Sequence, residues 1–589
     1  MIRWAVAHRE KLLLALILAT GAGLRFYGLN WDRGHWLHPD ERQIYFVTLG
    51  LQWPDRLADA LSSGSPLNPH FFAYGSLPFY LLRFFAWALA PLWPAIRDPD
   101  NLHLVGRTLA CLFDLGTVLL TYYLARIVLV DARHPQGVRE PRPFLPLLAA
   151  ALVSLATLHV QASHFYTAEP ILTFLVMWAL YSAARTAQQG SWRHRIGLGV
   201  ALGFALATKI SAAPLVLAVL AAHNPTVPSA PTGRHRRLAQ ALATLALAGG
   251  TFALAQPYAL LDTPTFLHDT LRESRIASGA LDVPYTRQYA GTLPYLYSMG
   301  QLTLWGLALP VGLLAWAGFA ASWIRWLRRA PWTDTLLLAW AGLYWLVVGL
   351  LHARHLRYLL PLVPVLCILA CSLLQDLSRS RAGRSTRVNV HHALAWLMVL
   401  SSLGYALAFA SIYRLPHPWI AASEWIYQQI PAGSTLAVED WDTTLPLPLD
   451  VEGQPRRIEE YDLRVLPLYD EPDDGAKWGS LAADLAGSDY LILASRRLYG
   501  SIPRLPDRYP LASPYYTQLF QGRLGFERVA EFDRGPAWLN PPIPPLMEGT
   551  PALFRPDESF VVYDHPRTLV FRNREHLTPD ELLRRISGP

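Results

Sequence analysis

Residues 8–42 read HREKLLLALILATGAGLRFYGLNWDRGHWLHPDER. Basic residues open this stretch, an uninterrupted apolar run follows from Leu12, and a segment containing Asp40 and Glu41 comes after it. Because Lys and Arg favour the cytoplasmic end of a membrane helix, the pattern predicts a first helix at about 10–29 with the N-terminus inside. A cleaved signal peptide is the alternative. It is disfavoured because no small-x-small cleavage site precedes a soluble domain.

Composition divides the rest of the chain into two parts. Of 589 residues, 52% are hydrophobic and 16% are charged, whereas soluble domains contain about a quarter charged residues. Long apolar blocks fill residues 1–413, which hold 33 Lys and Arg against 18 Asp and Glu; residues 414–589 hold 18 against 26. The difference predicts a polytopic α-helical membrane domain, 1–413, and a soluble domain, 414–589. The basic excess belongs to membrane flanks, so nucleic acid is not an expected partner.

Alternating charge along residues 1–413 predicts about 11 transmembrane helices. Arginine-rich connections such as 126–142 and 379–387 are placed inside, and acidic connections outside. The proline-containing segment Phe71–Pro94 is predicted to lie along or dip into the outer surface as a juxtamembrane element. After the helix at 10–29, the predicted spans lie near 102–128, 144–164, 170–184, 196–208, 210–222, 238–256, 296–324, 335–351, 358–375 and 393–413.

Two adjacent carboxylates, Asp40 and Glu41, follow Pro39 in the first outer loop. Local pattern favours a helix start, because proline at the first helical position and negative charge in the first turn both suit a helix N-terminus. The functional alternative is a general base, since a carboxylate can accept a proton from an attacking hydroxyl or amide.

Cations are predicted on the same outer side, against the positive-inside tendency. Lys209 separates two apolar runs, and Arg354 and Arg357 are spaced so that they would share one face of a helix. Charged groups at membrane depth are costly and usually mark a site. Phosphate binding is the functional interpretation. A lysine that extends to the interface and arginines that anchor lipid headgroups are the alternatives, while Arg107 is read either as a site residue or as a buried partner of Asp114.

A metal site is not predicted but is left open. Cys111, Cys367 and Cys371 lie in apolar blocks and form neither a disulfide framework nor a metal cluster. No GxGxxG, Walker or HExxH signature occurs. Five residues are candidate ligands of a divalent metal, although they are not closely spaced in the sequence: His35, His38, His164, Asp40 and Glu169.

A series of short motifs follows one order along the chain: His38-Pro-Asp-Glu41, Asn68-Pro-His-Phe-Phe-Ala-Tyr-Gly-Ser-Leu-Pro-Phe-Tyr80, Arg107, Glu169, Lys209 and Arg354…Arg357-Tyr-Leu-Leu-Pro. The series resembles the GT-C glycosyltransferases of the protein O-mannosyltransferase and aminoarabinose-transferase type (glycosyltransferase family 39). The resemblance covers about 1–375. Glu169 departs from the pattern, because related proteins often carry Asp there.

The resemblance implies a multi-pass enzyme of the cell (plasma or inner) membrane, with its active site and C-terminal domain extracytoplasmic. It implies inverting sugar transfer from a polyprenyl-phosphate donor to a protein, lipid or glycan acceptor, among membrane lipids and without a required cofactor. Asp40 matches the family's proposed base, and Glu41 and Glu169 would orient the acceptor or sugar. The residues assigned to the donor phosphate are Lys209, Arg354, Arg357 and Arg107.

Two other classes of function remain open from the sequence. A transporter or flippase of a lipid-linked anion would need the same cations but no base at Asp40. Internal repeats would favour it, and none is evident. A purely structural or binding subunit is the third class.

The C-terminal part has the pattern of a compact α/β domain. Strands are predicted at 434–439, 489–494, 560–563 and 568–571, and a helix at 422–429. The aromatic residues Tyr515, Tyr516 and Trp538 are interpreted as core residues, with glycan binding as the alternative. Acceptor recognition or a lid role for this domain rests on fold analogy alone.

Overall fold

The structure, a computed structural model, describes residues 2–131, 144–224, 226–229, 233–379, 384–536, 538 and 554–588. The chain forms two compact units. Unit 1 comprises Met1–Asn30, Trp36–Ser278 and Pro294–Ala410, and unit 2 comprises Trp31–His35, Gly279–Leu293 and Ser411–Pro589. The predicted domain division at residue 413 stays a prediction, and two short segments of the predicted membrane domain belong to unit 2. Residues 132–142 of the predicted inner loop 126–142, and residues 380–383 of the predicted inner loop 379–387, lie outside the described residues.

The regular elements of unit 1 are all helices within its described residues. Its helices are α1 Ile2–Phe26, α2 Pro39–Gly50, α3 Leu77–Leu89, α4 Leu102–Arg126, α5 Phe144–Ser154, α6 Thr157–Ser163, α7 Ala168–Gln189, α8 Trp192–Thr208, α9 Leu215–Ala222, α10 Arg234–Ala255, α11 Tyr258–Leu261, α12 Thr263–Ser278, α13 Leu296–Gln301, α14 Leu309–Arg329, α15 Trp332–Leu350, α16 Val363–Arg379 and α17 Arg384–Ala410.

Within the described residues, five helical stretches are long and apolar enough to cross a membrane, as the predicted membrane class requires. Counting the pair α5 and α6, which bends by 53°, as one broken span raises the number to six. The predicted count of about 11 is not confirmed, although each predicted span coincides with one or more helices. The five stretches are Pro99–Asp131, Arg234–Ala255, Trp332–Leu350, Leu356–Ser378 and Val390–Gln429.

One break in the helices has a cause in the sequence. The segment predicted as one span near 296–324 is split into α13, a π-helical turn at Leu302–Gly306, and α14. Pro310 lies in the first turn of α14, where a missing N–H is tolerated and a new helix begins.

Helix α3 has 13 residues and is about 20 Å long. It is therefore too short to cross the hydrocarbon core, in agreement with the predicted juxtamembrane segment.

Unit 2 contains both strands and helices. The strands are β1 Thr435–Glu439, β2 Leu449–Val451, β3 Gln454–Arg456, β4 Asp462–Leu466, β5 Tyr490–Leu493, β6 Phe526–Phe532 and β7 Thr568–Asn573; the helices are α18 Pro418–Gln429, α19 Gly475–Ala486, α20 Ala512–Phe520, α21 Glu558–Val561 and α22 Pro579–Ser587. Five of the strands form a sheet of order β4-β1-β5-β7-β6. Strand β1 pairs in parallel with β4 and β5, whereas β7 runs antiparallel to β5 and β6.

The predicted α/β class of the C-terminal part is confirmed, with two local corrections. The run 560–563 is not a strand, because the side chain of Asp557 caps α21 by accepting from the N–H of Ser559, and a short apolar run does not by itself distinguish strand from helix. Tyr515 and Tyr516 are core residues, fully buried, as interpreted. Trp538 is half exposed, so its interpretation as a core residue is wrong.

Candidate active site

Asp40 lies in the first turn of α2, and the local sequence explains why the helix begins there. Pro39 occupies the first helical position, and His38 caps the helix by accepting a hydrogen bond at Nδ1 from the N–H of Glu41, 3.4 Å away. The predicted helix start is therefore present. The carboxylate of Asp40 is also engaged, because its Oδ2 lies 2.6 Å from Nη1 of Arg357.

A second ion pair, between Lys209 and Glu169, lies beside the first. Lys209 follows the last residue of α8, and its Nζ donates to Oε1 of Glu169, 2.8 Å away in the first turn of α7. Nε of Arg357 is 4.0 Å from the same oxygen. Four of the predicted site residues, from four separate elements, therefore form one cluster of two carboxylates and two cations.

Two tyrosines that sequence reasoning did not single out complete this cluster. The hydroxyl of Tyr74 hydrogen-bonds the carboxylate of Asp40. Nζ of Lys209 lies 4.6 Å from the ring centroid of Tyr358, a cation–π distance. Both tyrosines stand inside the motifs that carry the family resemblance, but the motifs alone do not say which side chain turns toward the site.

A close backbone contact places Tyr74. The N–H of Gly75 donates to the carbonyl of Thr208, 2.9 Å away, so the loop carrying Tyr74 lies against the end of α8, next to Lys209. A Cβ atom on Gly75 would lie 1.9 Å from the carbonyl oxygen of Ala207. Only glycine permits this approach, which brings Tyr74 toward Lys209.

Electrostatics keep Asp40 ionised. Burial alone would raise the pKa of Asp40, but Arg357, His38 and Lys209, with the Tyr74 hydroxyl, hold it at about 2. Burial lowers the pKa of His38 to about 4, which leaves the imidazole neutral near pH 7 and agrees with its role as a cap acceptor. The resting cluster therefore pairs two negative charges with two positive ones.

Glu41 and Arg107 form an ion pair of their own. Arg107 donates from Nε to Oε1 of Glu41 at 2.9 Å and from Nη2 to Oε2 at 2.7 Å, and both side chains are fully buried. Oε1 of Glu41 also accepts from the hydroxyl of Tyr45 and from the N–H of Tyr166. Their predicted roles at the acceptor and the phosphate stay predictions, but these contacts favour a role in positioning α2.

Arg354 differs from the expectation that it shares a helical face with Arg357. It precedes the short 3₁₀ helix Leu356–Leu362 that carries Arg357, and it is buried. The backbone just before it is tied to α12, because the N–H groups of His352 and Ala353 both donate to the carbonyl of Ala277. Arg354 therefore lies in an irregular segment, and the spacing argument from the sequence does not apply to it.

Glu273 on α12 is a further carboxylate that sequence reasoning missed. It is partly buried and feels the charges of both Lys209 and Asp40; burial raises its pKa against the attraction of Arg272 and Lys209. Helix α12 is also fixed near the site at its middle, where the carboxylate of Asp269 accepts from the N–H of Phe72. No local sequence signal marks Glu273, since its position follows from the packing of α12.

Comparison with known families gives a match inside unit 1. Residues 100–259 match the family model described as dolichyl-phosphate-mannose-protein mannosyltransferase. The match covers 160 of the 589 residues, about a quarter of the chain, and identifies the chain as a glycosyltransferase. The matched region includes Arg107, Glu169 and Lys209, whereas Asp40 and Arg357 lie outside it. No curated protein matches the sequence.

Solved structures with a similar course of the chain include several membrane glycosyltransferases. The Archaeoglobus fulgidus oligosaccharyltransferase in the apo form is 14% identical with a TM-score of 0.49, over 86% of this chain and 72% of that one. ArnT from Cupriavidus metallidurans in the apo state is 14% identical with a TM-score of 0.43, over 98% of this chain and 99% of that one. At such values the likenesses support no inference about the reaction of this glycosyltransferase.

Four of the five residues that left a metal open in the sequence, His38, Asp40, His164 and Glu169, are engaged in other contacts. Nδ1 and Nε2 of His164 contact the carbonyls of Val160 and Tyr27, and Glu169 is paired with Lys209. Among the described residues, no group of three or more His, Cys, Asp and Glu side chains could hold a metal ion. The expectation that the glycosyltransferase requires no cofactor stays a prediction, as does the open divalent metal.

Proposed function

We propose that this glycosyltransferase moves a sugar from a polyprenyl-phosphate donor to a hydroxyl- or amide-bearing acceptor at the extracytoplasmic face of the cell membrane. The observation that carries the proposal is the contact between Asp40 and Arg357, at 2.6 Å, beside the pair of Lys209 and Glu169, at 2.8 Å. A base and two phosphate-binding cations thus stand in one cluster. The family match at residues 100–259 supports the same donor class.

The reaction needs one base and a stabilised leaving group. Asp40 takes the proton of the acceptor O–H or N–H as the new bond to the anomeric carbon forms, and the bond from that carbon to the phosphate oxygen breaks with its electron pair. Attack opposite the leaving group inverts the anomeric configuration. The polyprenyl phosphate leaves as a monoester whose second pKa is near 6, so no general acid is needed, while Lys209 and Arg357 stabilise its growing charge.

The resting ion pairs give the donor a second role. Each cation is paired with a carboxylate, which avoids the cost of an uncompensated charge in a partly buried site. A donor phosphate that draws Arg357 toward itself weakens the hold of that guanidinium on Asp40. The pKa of Asp40 then rises from about 2 and the carboxylate becomes a better base. Donor binding would therefore activate the base in the same step that positions the sugar.

Removing the cations should weaken use of the donor. We expect Lys209→Ala and Arg357→Ala each to lower kcat/KM for the donor. The loss of transition-state stabilisation should be roughly 1.5–3 kcal/mol, the range for a lost hydrogen bond to a charged group. Steady-state kinetics with a polyprenyl-phosphate sugar measure this loss. Arg56→Ala, at an exposed position in the same predicted outer region, is the matched control. Normal donor kinetics in well-expressed cation variants would leave Lys209 and Arg357 as interface anchors only.

The low pKa of Asp40 predicts the acid side of the pH profile. A carboxyl with a depressed pKa stays ionised until pH falls through that value, so kcat/KM of the wild type should lose no activity to Asp40 protonation between pH 8 and about pH 4. In Arg357→Gln the main attraction is gone while burial remains. The acid limb should then move up by about 1–3 pH units.

Measured pH profiles of kcat/KM for the two proteins test this shift. The shape of the profile is the readout, so the lower activity of the variant does not obscure the result. An acid limb that keeps its position in Arg357→Gln would mean that the Asp40–Arg357 pair does not set the pKa of the base.

The proposed location requires both the first outer loop and the C-terminal part to face outward. The charge pattern places residues 30–70 and 414–589 on the extracytoplasmic side. Single cysteines at the exposed positions Gly64 and Gln521 should therefore both react with a membrane-impermeant maleimide added outside intact cells. Reaction at one position alone would overturn the predicted number of crossings between them.

A further inference from the structure

The parallel part of the sheet in unit 2 contains a reversal of strand order between β4, β1 and β5. From β1 the chain moves to β4 on one side, and it then passes through α19 to β5 on the other side. Ligands of open α/β sheets bind outside the carboxyl ends of the strands at such a reversal of strand order. In this unit those ends are followed by the segments 440–444, after β1, and 494–497, after β5.

Trp441 stands at this point in an unfavourable conformation. Its φ is +65°, a left-handed conformation that is costly for a bulky side chain, and 44% of the residue is exposed. The rest of the residue is buried, so the exposed part of the indole is the surface available to a ligand. Within the described part of the chain, no aromatic ring or cation stacks on this indole. A strained and exposed tryptophan at a strand end points to a role in binding.

The backbone of Trp441 is held in place from both sides. Nη1 of Arg497 donates to the carbonyl oxygen of Trp441 at 2.7 Å, and the N–H of Trp441 donates to Oδ1 of Asp440 at 2.8 Å. Arg497 is in turn fixed by Glu558, because its Nε donates to Oε1 at 2.6 Å. The backbone that carries the indole is thus held by the charged network of Arg497 and Glu558.

Residues with hydrogen-bond acceptors precede and follow Trp441 in the chain. Oδ1 of Asp442 accepts from the N–H of Thr443, and its Oδ2 accepts from the hydroxyl of Ser495 at 2.5 Å. A carboxylate offers about four acceptor positions, so Asp442 keeps capacity for further donors. Asp440 and Asp442 are both partly exposed. Next to the flat apolar surface of Trp441, these two carboxylates suit a ligand that carries many hydroxyl donors.

We propose that this edge of the sheet, formed by Asp440, Trp441 and Asp442, binds a neutral carbohydrate. One face of a pyranose, lined by C–H groups, would stack on the indole while ring hydroxyls donate to the carboxylates. An anionic ligand is disfavoured, because residues 414–589 hold 18 Lys and Arg against 26 Asp and Glu and two carboxylates flank the indole. The site goes beyond the proposed transfer reaction, since it lies in unit 2 and requires neither Asp40 nor a donor.

The positive φ supplies a substitution that removes the indole without harming the fold. Glycine adopts this conformation at no steric cost, so relief of the backbone strain should partly offset the packing lost with the half-buried indole, and Trp441→Gly should fold with a Tm close to that of wild type. Glu452→Gly is the matched control. Glu452 also has a positive φ, +55°, and is exposed in the turn between β2 and β3, so its replacement gives the same backbone relief without touching the proposed site.

Direct binding tests the proposal on the full chain. The protein in lipid nanodiscs, free of glucoside and maltoside detergents, is titrated with maltotriose, mannotriose and N-acetylchitotriose by calorimetry and saturation-transfer NMR. We expect at least one saccharide to bind wild type and Glu452→Gly equally, and to bind Trp441→Gly about tenfold more weakly or worse. Because binding and not transfer is measured, failure of the proposed reaction leaves this result unaffected.

Three outcomes would overturn the proposal. Equal affinity of Trp441→Gly and wild type for the saccharide would place binding elsewhere. Absence of binding to all three saccharides at millimolar concentration would remove the ligand class. Binding of a Ser/Thr-rich peptide instead of the saccharides, lost in Trp441→Gly, would make the edge a peptide site.

Discussion

Replacing Asp40 by Asn should lower sugar transfer by about 10²–10⁴-fold, the usual contribution of a general base. Asn keeps the size and most of the hydrogen-bonding geometry of Asp but cannot take a proton at neutral pH. Affinity for the donor should not fall in this variant, because Arg357, now 2.6 Å from the Asp40 carboxylate, loses the anion that competes with the donor phosphate. The expected signature is a large loss of kcat with an unchanged or lower KM for the donor.

Single-turnover transfer and equilibrium donor binding, measured on the same preparation, separate these effects. Asp55→Asn is the matched control, since Asp55 is an exposed carboxylate in the same predicted outer region. A Tm measurement checks that α2 still forms. A flippase would keep its transport rate in Asp40→Asn, and a cap role alone would give lower stability with normal turnover per folded molecule. If Asp40→Asn turned over at nearly the wild-type rate, Asp40 would not be the base, and Glu169 or Glu273 would be the next candidate.

The sequence distinguishes Asp40 from Glu41 only through the family resemblance. Both carboxylates follow Pro39, and local rules predict just a helix start, which the structure contains. Adjacent residues on a helix point roughly 100° apart, so one of the two can face the cations while the other faces the helix bundle. Which one does so depends on where Arg357 and Arg107 lie, and these residues come from distant elements. The pattern of residues 38–42 carries no information about that packing.

The cluster as a whole combines predictable and unpredictable parts. Lys209, Glu169 and Arg357 stand out in the sequence because charged groups at membrane depth are rare and costly. Tyr74 and Glu273 do not stand out, since a tyrosine in an aromatic loop and a glutamate on an amphipathic helix are common. Tyr74 reaches the site through the backbone contact of Gly75 with the end of α8, a contact between residues more than 130 positions apart.

Errors in the fold prediction have a similar origin. Hydropathy locates apolar segments but not the breaks within them, such as the new helix that begins near Pro310. The run 560–563 is apolar enough for a strand, yet the cap at Asp557 starts a helical turn there. Both differences arise from single residues that alter the backbone hydrogen bonds, which a pattern averaged over a window does not detect.

The pair of Glu41 and Arg107 should matter more for stability than for donor binding. Both side chains are fully buried and joined by two hydrogen bonds. Removing one partner of such a pair leaves an uncompensated buried charge, which costs about 3–5 kcal/mol. We therefore expect Arg107→Ala to lower the free energy of unfolding by that amount, and transfer to fall in proportion to the folded fraction, because α2 carries Asp40.

The double variant Glu41→Gln with Arg107→Met is the matched companion. It removes both buried charges, and the Gln side chain keeps an acceptor for the Tyr45 hydroxyl and the N–H of Tyr166. Because no uncompensated charge is then buried, its Tm should recover most of the loss seen in Arg107→Ala, and KM for the donor should remain that of wild type. A phosphate contact by Arg107 predicts the opposite pattern. In that case Arg107→Ala would be stable with a raised KM for the donor, and the double variant would keep that defect, since neither Gln nor Met can replace a cation at the phosphate.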